Sequence, residues 1–189
     1  TKAALEDVYA PYTQKRRTRG TIAKEKGLEP LAEFILTQSM DGRPADEALK
    51  YVSEEKGVKD AEDALKGARD IVAEAIADHA EVRALLRDAF TNKGEVITTV
   101  ARGKENERTK FEDYYDYKEP AKEIPSHRFL AIRRGESEGV LRMKVEVDPE
   151  PLMPRVHATM GLNPTSPWAD LLRESADEAF KRLLAPSVE

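Results

Sequence analysis

Residues 58–90 read VKDAEDALKGARDIVAEAIADHAEVRALLRDAF. Within that run Val58, Ala61, Leu65, Ala68, Val72, Ala75, His79, Val82, Leu86 and Ala89 follow one another in steps of three and four. Side chains at that spacing share one face of an α-helix, so the run predicts a helical core stripe. The same register serves one long helix or two. Asp78 followed by Glu81 matches a capping box, which favours a break near Asp78 and a second helix through Phe90. His79 falls on the stripe, where a hydrogen-bonded core imidazole is expected.

Toward the N-terminus, residues 3–10 read as a short helix stopped by Pro11. A basic run follows, and Thr18 or Thr21 can cap a second helix ending near Lys26, with Gly27 suited to the left-handed position after it. Pro30 sits near a first helical position, and Leu28, Leu31, Phe34 and Ile35 give the next helix an apolar stripe. The stretch 19–38 is therefore helix, glycine turn, helix, which resembles a helix-turn-helix. Asp41-Gly42-Arg43-Pro44 marks a turn, after which Ala45, Leu49 and Val52 follow helical spacing and Gly57 closes that helix.

Toward the C-terminus, Gly94 ends the helical pattern and the β-branched cluster Val96 to Val100 permits a short strand. Residues 103–125 are charged and tyrosine-rich and read as a connector. Ser126 can cap a helix through Arg134 that Gly135 ends. Leu141, Met143, Val145 and Val147 alternate with Arg142, Lys144 and Glu146, the clearest strand in the chain. A lone strand leaves its backbone groups unpaired, so 140–147 needs a partner, either 96–100 or something outside this chain. A helix near 152–160 follows, and Trp168, Leu171, Leu172, Ala176, Ala179, Phe180 and Leu183 mark a final amphipathic helix.

The expected fold is mainly α, a helical bundle with a helix-turn-helix-like N-terminal part and a small β element near 140–147. Its organisation reads as a helical region over 1–93, a connector over 94–125, and helices plus one strand over 126–189. Composition agrees, since 35% of the residues are charged and only 6% aromatic, a balance that suits amphipathic helices better than a β-sandwich. The absence of cysteine excludes disulfides, thiolate metal sites and cysteine nucleophiles. No apolar run reaches the length of a membrane span and the first residues lack a signal-peptide core, so no membrane partner and a cytoplasmic location are expected.

A formal charge of −5 gives no global attraction to polyanions. Any nucleic-acid contact must use a local patch, and Lys15, Arg16, Arg17, Arg19, Lys24 and Lys26 form one interrupted by a single acid, Glu25. Guanidinium groups there can bond phosphate oxygens in pairs; the alternative is a solvated run, or arginines paired with neighbouring acidic helices. His127 beside Arg128 offers a second phosphate contact or a structural role at a helix start.

His79, His127 and His157 lie far apart and form no His-Glu-x-x-His pattern, so no metal is expected. Glu112, Asp113, Asp116 and Glu119, interleaved with tyrosines, read as a partly buried acidic connector, because no histidine or glycine-rich phosphate loop accompanies them. No catalytic residue and no cofactor are assigned, and the chain is not read as an enzyme.

Several stretches carry a family resemblance: LEDVYAPYTQKRRTR at 5–19, IAKEKGLEPLA at 22–32, KFEDYYDYKEP at 110–120, IPSHRFLAI at 124–132, and the short runs at 134–136 and 138–141. Their content and order resemble the N-terminal and central helical portion of the bacterial Tex family of transcription accessory proteins, over nearly the whole chain. The pattern departs at Thr21, where an acidic capping partner is expected. Full-length members add RNase-H-like, helix-hairpin-helix and S1 domains, none of which is visible here. The resemblance implies a non-catalytic scaffold associated with RNA or DNA through the full-length protein, and with transcription machinery as a further partner. The alternative is a helical protein-interaction module without direct nucleic-acid contact. The matched basic segment and Ser126-His127-Arg128 are the residues it carries over.

Overall fold

The computed structural model describes residues 17–188. The expected helix at 3–10, its stop at Pro11, and the patch residues Lys15 and Arg16 lie outside the described residues. In chain order the elements are α1 (Arg19–Glu25), α2 (Glu29–Thr37), α3 (Pro44–Leu49), α4 (Ala61–Asp78), α5 (Ala80–Lys93), β1 (Glu95–Val100), β2 (Asp116–Pro120), α6 (Ser126–Ser137), β3 (Leu141–Glu146), α7 (Pro149–Thr159), α8 (Ala169–Glu178) and α9 (Ala185–Val188). A 3-10 turn at Glu112–Tyr114 precedes β2, and a π-helical turn at Ala179–Leu184 joins α8 to α9. The fold is mainly α with a small antiparallel sheet.

The helix, glycine turn, helix over 19–38 is present. Thr18 caps α1 by accepting from Thr21 N–H at 3.1 Å. Gly27 then takes a φ of 77°, which side chains with a Cβ adopt only under strain. Leu28, Leu31 and Ile35 are buried, and Phe34 stacks on the buried Trp168 ring with centroids 5.2 Å apart.

Helix α4 is the centre of the molecule. It packs on α1, α2, α3, α5 and α8, so burial extends well beyond one stripe and takes in Ala64, Leu65, Ala68, Ile71, Val72, Ala73 and Ile76. Ala75, expected in that stripe, is exposed, and Ile76 is buried in its place. Steps of three and four average 3.5 residues, whereas an α-helix turns every 3.6, so a face extrapolated over several turns drifts toward the next residue. The break before α5 falls where expected but is not made by a capping box. His79 is the residue between the two helices, with extended backbone and no capping side-chain bond, and its Nδ1 is buried without a partner, so the expected hydrogen-bonded imidazole is also corrected.

Helix α3 is shorter than its spacing suggests. Ala48 is fully buried while Leu49 is 60% exposed. The chain leaves the helix after Leu49, and Ser53 pairs with Val58 in an isolated antiparallel bridge. Gly57, with φ 80°, serves that turn rather than closing a helix.

The sheet runs β2-β1-β3, all antiparallel. Strand β3 thus finds its partner within the chain, in the 96–100 segment. Residues 103–125, expected as a connector, supply the other edge strand: Val96 sits opposite Glu119 and Val145, and Thr98 opposite Tyr117 and Met143. Polar alternation and Pro120 conceal that strand, and an edge position tolerates both. Helix α6 packs against β3. Gly135 lies inside α6 instead of ending it, because a Cβ there would stand 2.4 Å from Leu141 Cδ1. The final helix is interrupted by its π-helical turn, with Phe180 and Leu184 still buried in the main core.

Candidate nucleic-acid interface

Helix α1 buries Gly20 and Ala23 against α4, which turns its charged residues to either side. The basic run is therefore divided between two clefts. Arg19 and Lys26 line one of about 360 Å3, together with Lys66, Asp63 and Asp70 of α4. Lys24 lines the other, of about 650 Å3, where Glu29, Glu33, Glu74 and Asp78 make the surroundings acidic. A phosphate approaching the second cleft meets net negative charge, and one approaching the first does not.

Several of the expected phosphate ligands are engaged within the protein. Arg17 pairs with Glu25 across an exposed face, where a single ion pair contributes little. Arg19 Nη1 lies 3.6 Å from Glu178, whose other neighbour Arg182 approaches Asp70 at 3.8 Å. Burial, and then the Glu178 carboxylate, push the Asp70 carboxyl above its ordinary value against the pull of Arg182 and Arg19. Lys24 and Lys26 have no ion-pair partner among the described residues.

The second predicted group divides as well. His127 is exposed in the first turn of α6. Arg128 instead turns toward the sheet. Its Nη1 donates to both Glu119 carboxylate oxygens and to the Tyr117 hydroxyl oxygen, each at 2.8 Å, while the Tyr117 hydroxyl donates to Glu119. These bonds hold the Glu119 carboxyl below its ordinary value, the Tyr117 bond contributing most and the Arg128 bond next. Arg128 is thus occupied in fixing α6 to β2. The outer face of α6 carries Phe129, 37% exposed, and Leu130, 65% exposed.

Lys66 escaped the sequence reading because its partner in the cleft, Lys26, is far away along the chain. The available signal was Gly67, a glycine inside a strong helical pattern, which marks a close approach. A Cβ at Gly67 would stand 2.3 Å from Leu28 Cδ1. Among the described residues no group of three or more His, Asp or Glu side chains is placed to hold a metal ion, and no helix is long and apolar enough to cross a membrane.

Residues 39–189 match the family described as Tex central region-like. The chain is 47% identical over 150 residues to the "Transcriptional accessory protein Tex" of Neisseria gonorrhoeae, covering 79% of this chain and 19% of that protein. It is 37% identical over 186 residues to the "Uncharacterized protein YdcI" of Bacillus subtilis, covering 98% of this chain and 26% of the relative. The human "S1 RNA-binding domain-containing protein 1" is 30% identical over 152 residues, 76% of this chain and 15% of its own length. The chain thus spans about a quarter or less of the relatives it matches.

Proposed function

The chain belongs to the Tex family, as a Tex central region-like segment, and from that premise we propose that it is a non-catalytic scaffold of a transcription accessory protein that associates with RNA or DNA through phosphate contacts. The observation that carries this reading is the surface around α1 outside the acidic cleft that Lys24 lines, where Lys26 has no ion-pair partner among the described residues and Arg17 and Arg19 remain largely exposed beside their acids. Contacts of that kind position a protein on a backbone without selecting sequence. The names of two relatives, one a transcriptional accessory protein and one containing an S1 RNA-binding domain, point the same way.

Binding of this chain to single-stranded RNA, single-stranded DNA and duplex DNA of unrelated sequences, measured over a salt series, tests the proposal. The expected outcome is weak, sequence-tolerant binding whose affinity falls as salt rises. No binding at low salt, or binding indifferent to salt, contradicts it.

A protein-interaction module is the second reading, favoured by one feature. Phe129 and Leu130 stand exposed on α6 while Arg128, the cation between His127 and that pair, is held against Glu119. Capture of polypeptide partners that is lost with Leu130→Asp, in a chain that binds no nucleic acid, would favour that reading.

A further inference from the structure

Strand β3 is an edge of the three-stranded sheet, and its pairing fixes which of its backbone groups face outward. Val100 N–H donates to the Tyr115 carbonyl on the β2 side, and Ala101 N–H donates to the Val140 carbonyl on the β3 side. Backbone groups alternate sides along a strand, so Thr99, Ile97 and Glu95 also point at β3, where they stand opposite Arg142, Lys144 and Glu146. Leu141, Met143 and Val145 therefore direct their N–H and C=O groups away from the sheet. Among the described residues these groups have no hydrogen-bond partner. An edge of that kind is a template for a further strand.

The strand also borders a place for side chains. Residues from Lys144 to Val147 line a cleft of about 400 Å3 whose other walls include Phe90, Phe180 and Pro186, and no residue of β1 or β2 reaches it. A strand added at the β3 edge sets alternate side chains on the face of Met143 and Val145, and Val145 belongs to that largely apolar cleft. The intervening side chains fall on the face of Arg142 and Lys144, where charge selects them. Lys144 is already paired with Glu146 at 2.5 Å, and Glu95, opposite Glu146, is paired with Lys118 at 3.2 Å. Arg142 is exposed and has no ion-pair partner among the described residues. Its neighbour in β1 is the neutral Thr99, with Asp116 one strand further off. Lys181, exposed at the cleft, is likewise without an ion-pair partner among the described residues.

We propose that the free edge of β3 is a docking site for an extended segment of another protein, one with apolar residues at alternate positions and an acidic residue opposite Arg142. Main-chain hydrogen bonds to Met143 and Val145 supply the attachment, and the alternating side chains supply the selection. This contact lies apart from α1 and is independent of nucleic-acid binding. A second copy of the chain is the poorer occupant. The symmetric antiparallel pairing centred on Met143, which uses all three outward-facing residues, sets Arg142 opposite Lys144 twice, and like charges directly opposite repel.

The test uses the whole chain, labelled for NMR, with a terminally blocked hexapeptide of alternating valine and glutamate as probe. In the free chain the amides of Met143 and Val145 should exchange with solvent quickly and those of Arg142 and Lys144 slowly. Adding the peptide is expected to slow exchange at Met143 and Val145 and to leave Arg142 and Lys144 unchanged. The same peptide methylated on its backbone nitrogens should give no protection. Arg142→Glu should weaken binding of the valine–glutamate peptide by about two- to fivefold and strengthen that of a valine–lysine counterpart. Equal binding of the two peptides to the unaltered chain overturns the acidic partner. Peptide binding without protection at Met143 and Val145, or no binding at millimolar peptide, overturns the docking edge. Protection in the free chain that grows with chain concentration overturns the proposal in favour of a second copy.

Discussion

Gly20 and Glu74 occupy each other's space: a Cβ on Gly20 would stand 1.8 Å from Glu74 Oε2. Glu74 comes from α4, and its Oε1 accepts from the Thr18 hydroxyl at 2.6 Å. Glu74 thus holds the hydroxyl of the capping residue Thr18 from a neighbouring helix, and the missing side chain at Gly20 admits it. Gly20→Ala forces the carboxylate aside and should cost about 1.5–3 kcal/mol, the range for a hydrogen bond to a charged group. In a Glu74→Ala background the same change should be neutral or stabilise by up to about 1 kcal/mol, because alanine is the better helix former. Denaturant unfolding of the four proteins measures the coupling, and equal costs in both backgrounds contradict the contact.

The register of α4 is testable at adjacent residues. Ile76 is fully buried, so Ile76→Ala should cost about 2–5 kcal/mol through lost contacts and a cavity. Ala75→Ser, at an exposed position, should stay within about 0.5 kcal/mol. The reverse order in urea midpoints would restore the face that spacing alone suggests.

Acid should weaken the link between α6 and β2. The Glu119 carboxyl is held below its ordinary value by Tyr117 and Arg128, so the folded state favours its ionised form. Stability from that preference is present above the ordinary carboxylate range, about 4.3, and is lost as pH falls through the lower folded value. Glu119→Gln should remove this component of the acid limb of a stability-against-pH curve, and an unaltered limb counts against the link.

His157 contributes in a higher window. Burial pushes its imidazole below the ordinary value, ahead of the opposing Asp177 and the reinforcing Arg173, and its Nε2 is buried without a partner. The folded state therefore favours the neutral ring. That contribution is complete above about 6.5 and is lost as pH falls through the folded value. His157→Phe should flatten the urea midpoint between pH 7 and mildly acid conditions, whereas an unchanged pH dependence contradicts the assignment.

Sequence patterns revealed the elements whose signals are local. Thr18, Gly27 and Pro30 frame the first helix pair by cap, turn and first-turn chemistry, and the alternation from Leu141 to Val147 contains β3. Strand β2 was hidden because an edge strand with Asp116, Lys118 and Glu119 lacks an apolar face, and its identity depends on β1. The candidate site was partly legible for the same reason. Its α1 cations are consecutive enough to notice, whereas Lys66 lines the same cleft only because Gly67 lets α4 approach Leu28 closely. Arg128 lay on the far side of that limit: its engagement by Tyr117 and Glu119 depends on the strand that the sequence concealed.

The salt dependence of nucleic-acid binding after reversing charges along α1 tests the central claim most directly. In the variant carrying Arg17→Glu, Arg19→Glu and Lys26→Glu, three phosphate contacts are removed. The log-affinity against log-salt slope should flatten by roughly 2–3, about 0.7 per contact on single strands and about 0.9 on duplex, and affinity should fall alike for unrelated sequences. Unchanged affinity and slope in a folded triple variant would contradict the account, leaving these cations to internal packing or a protein partner.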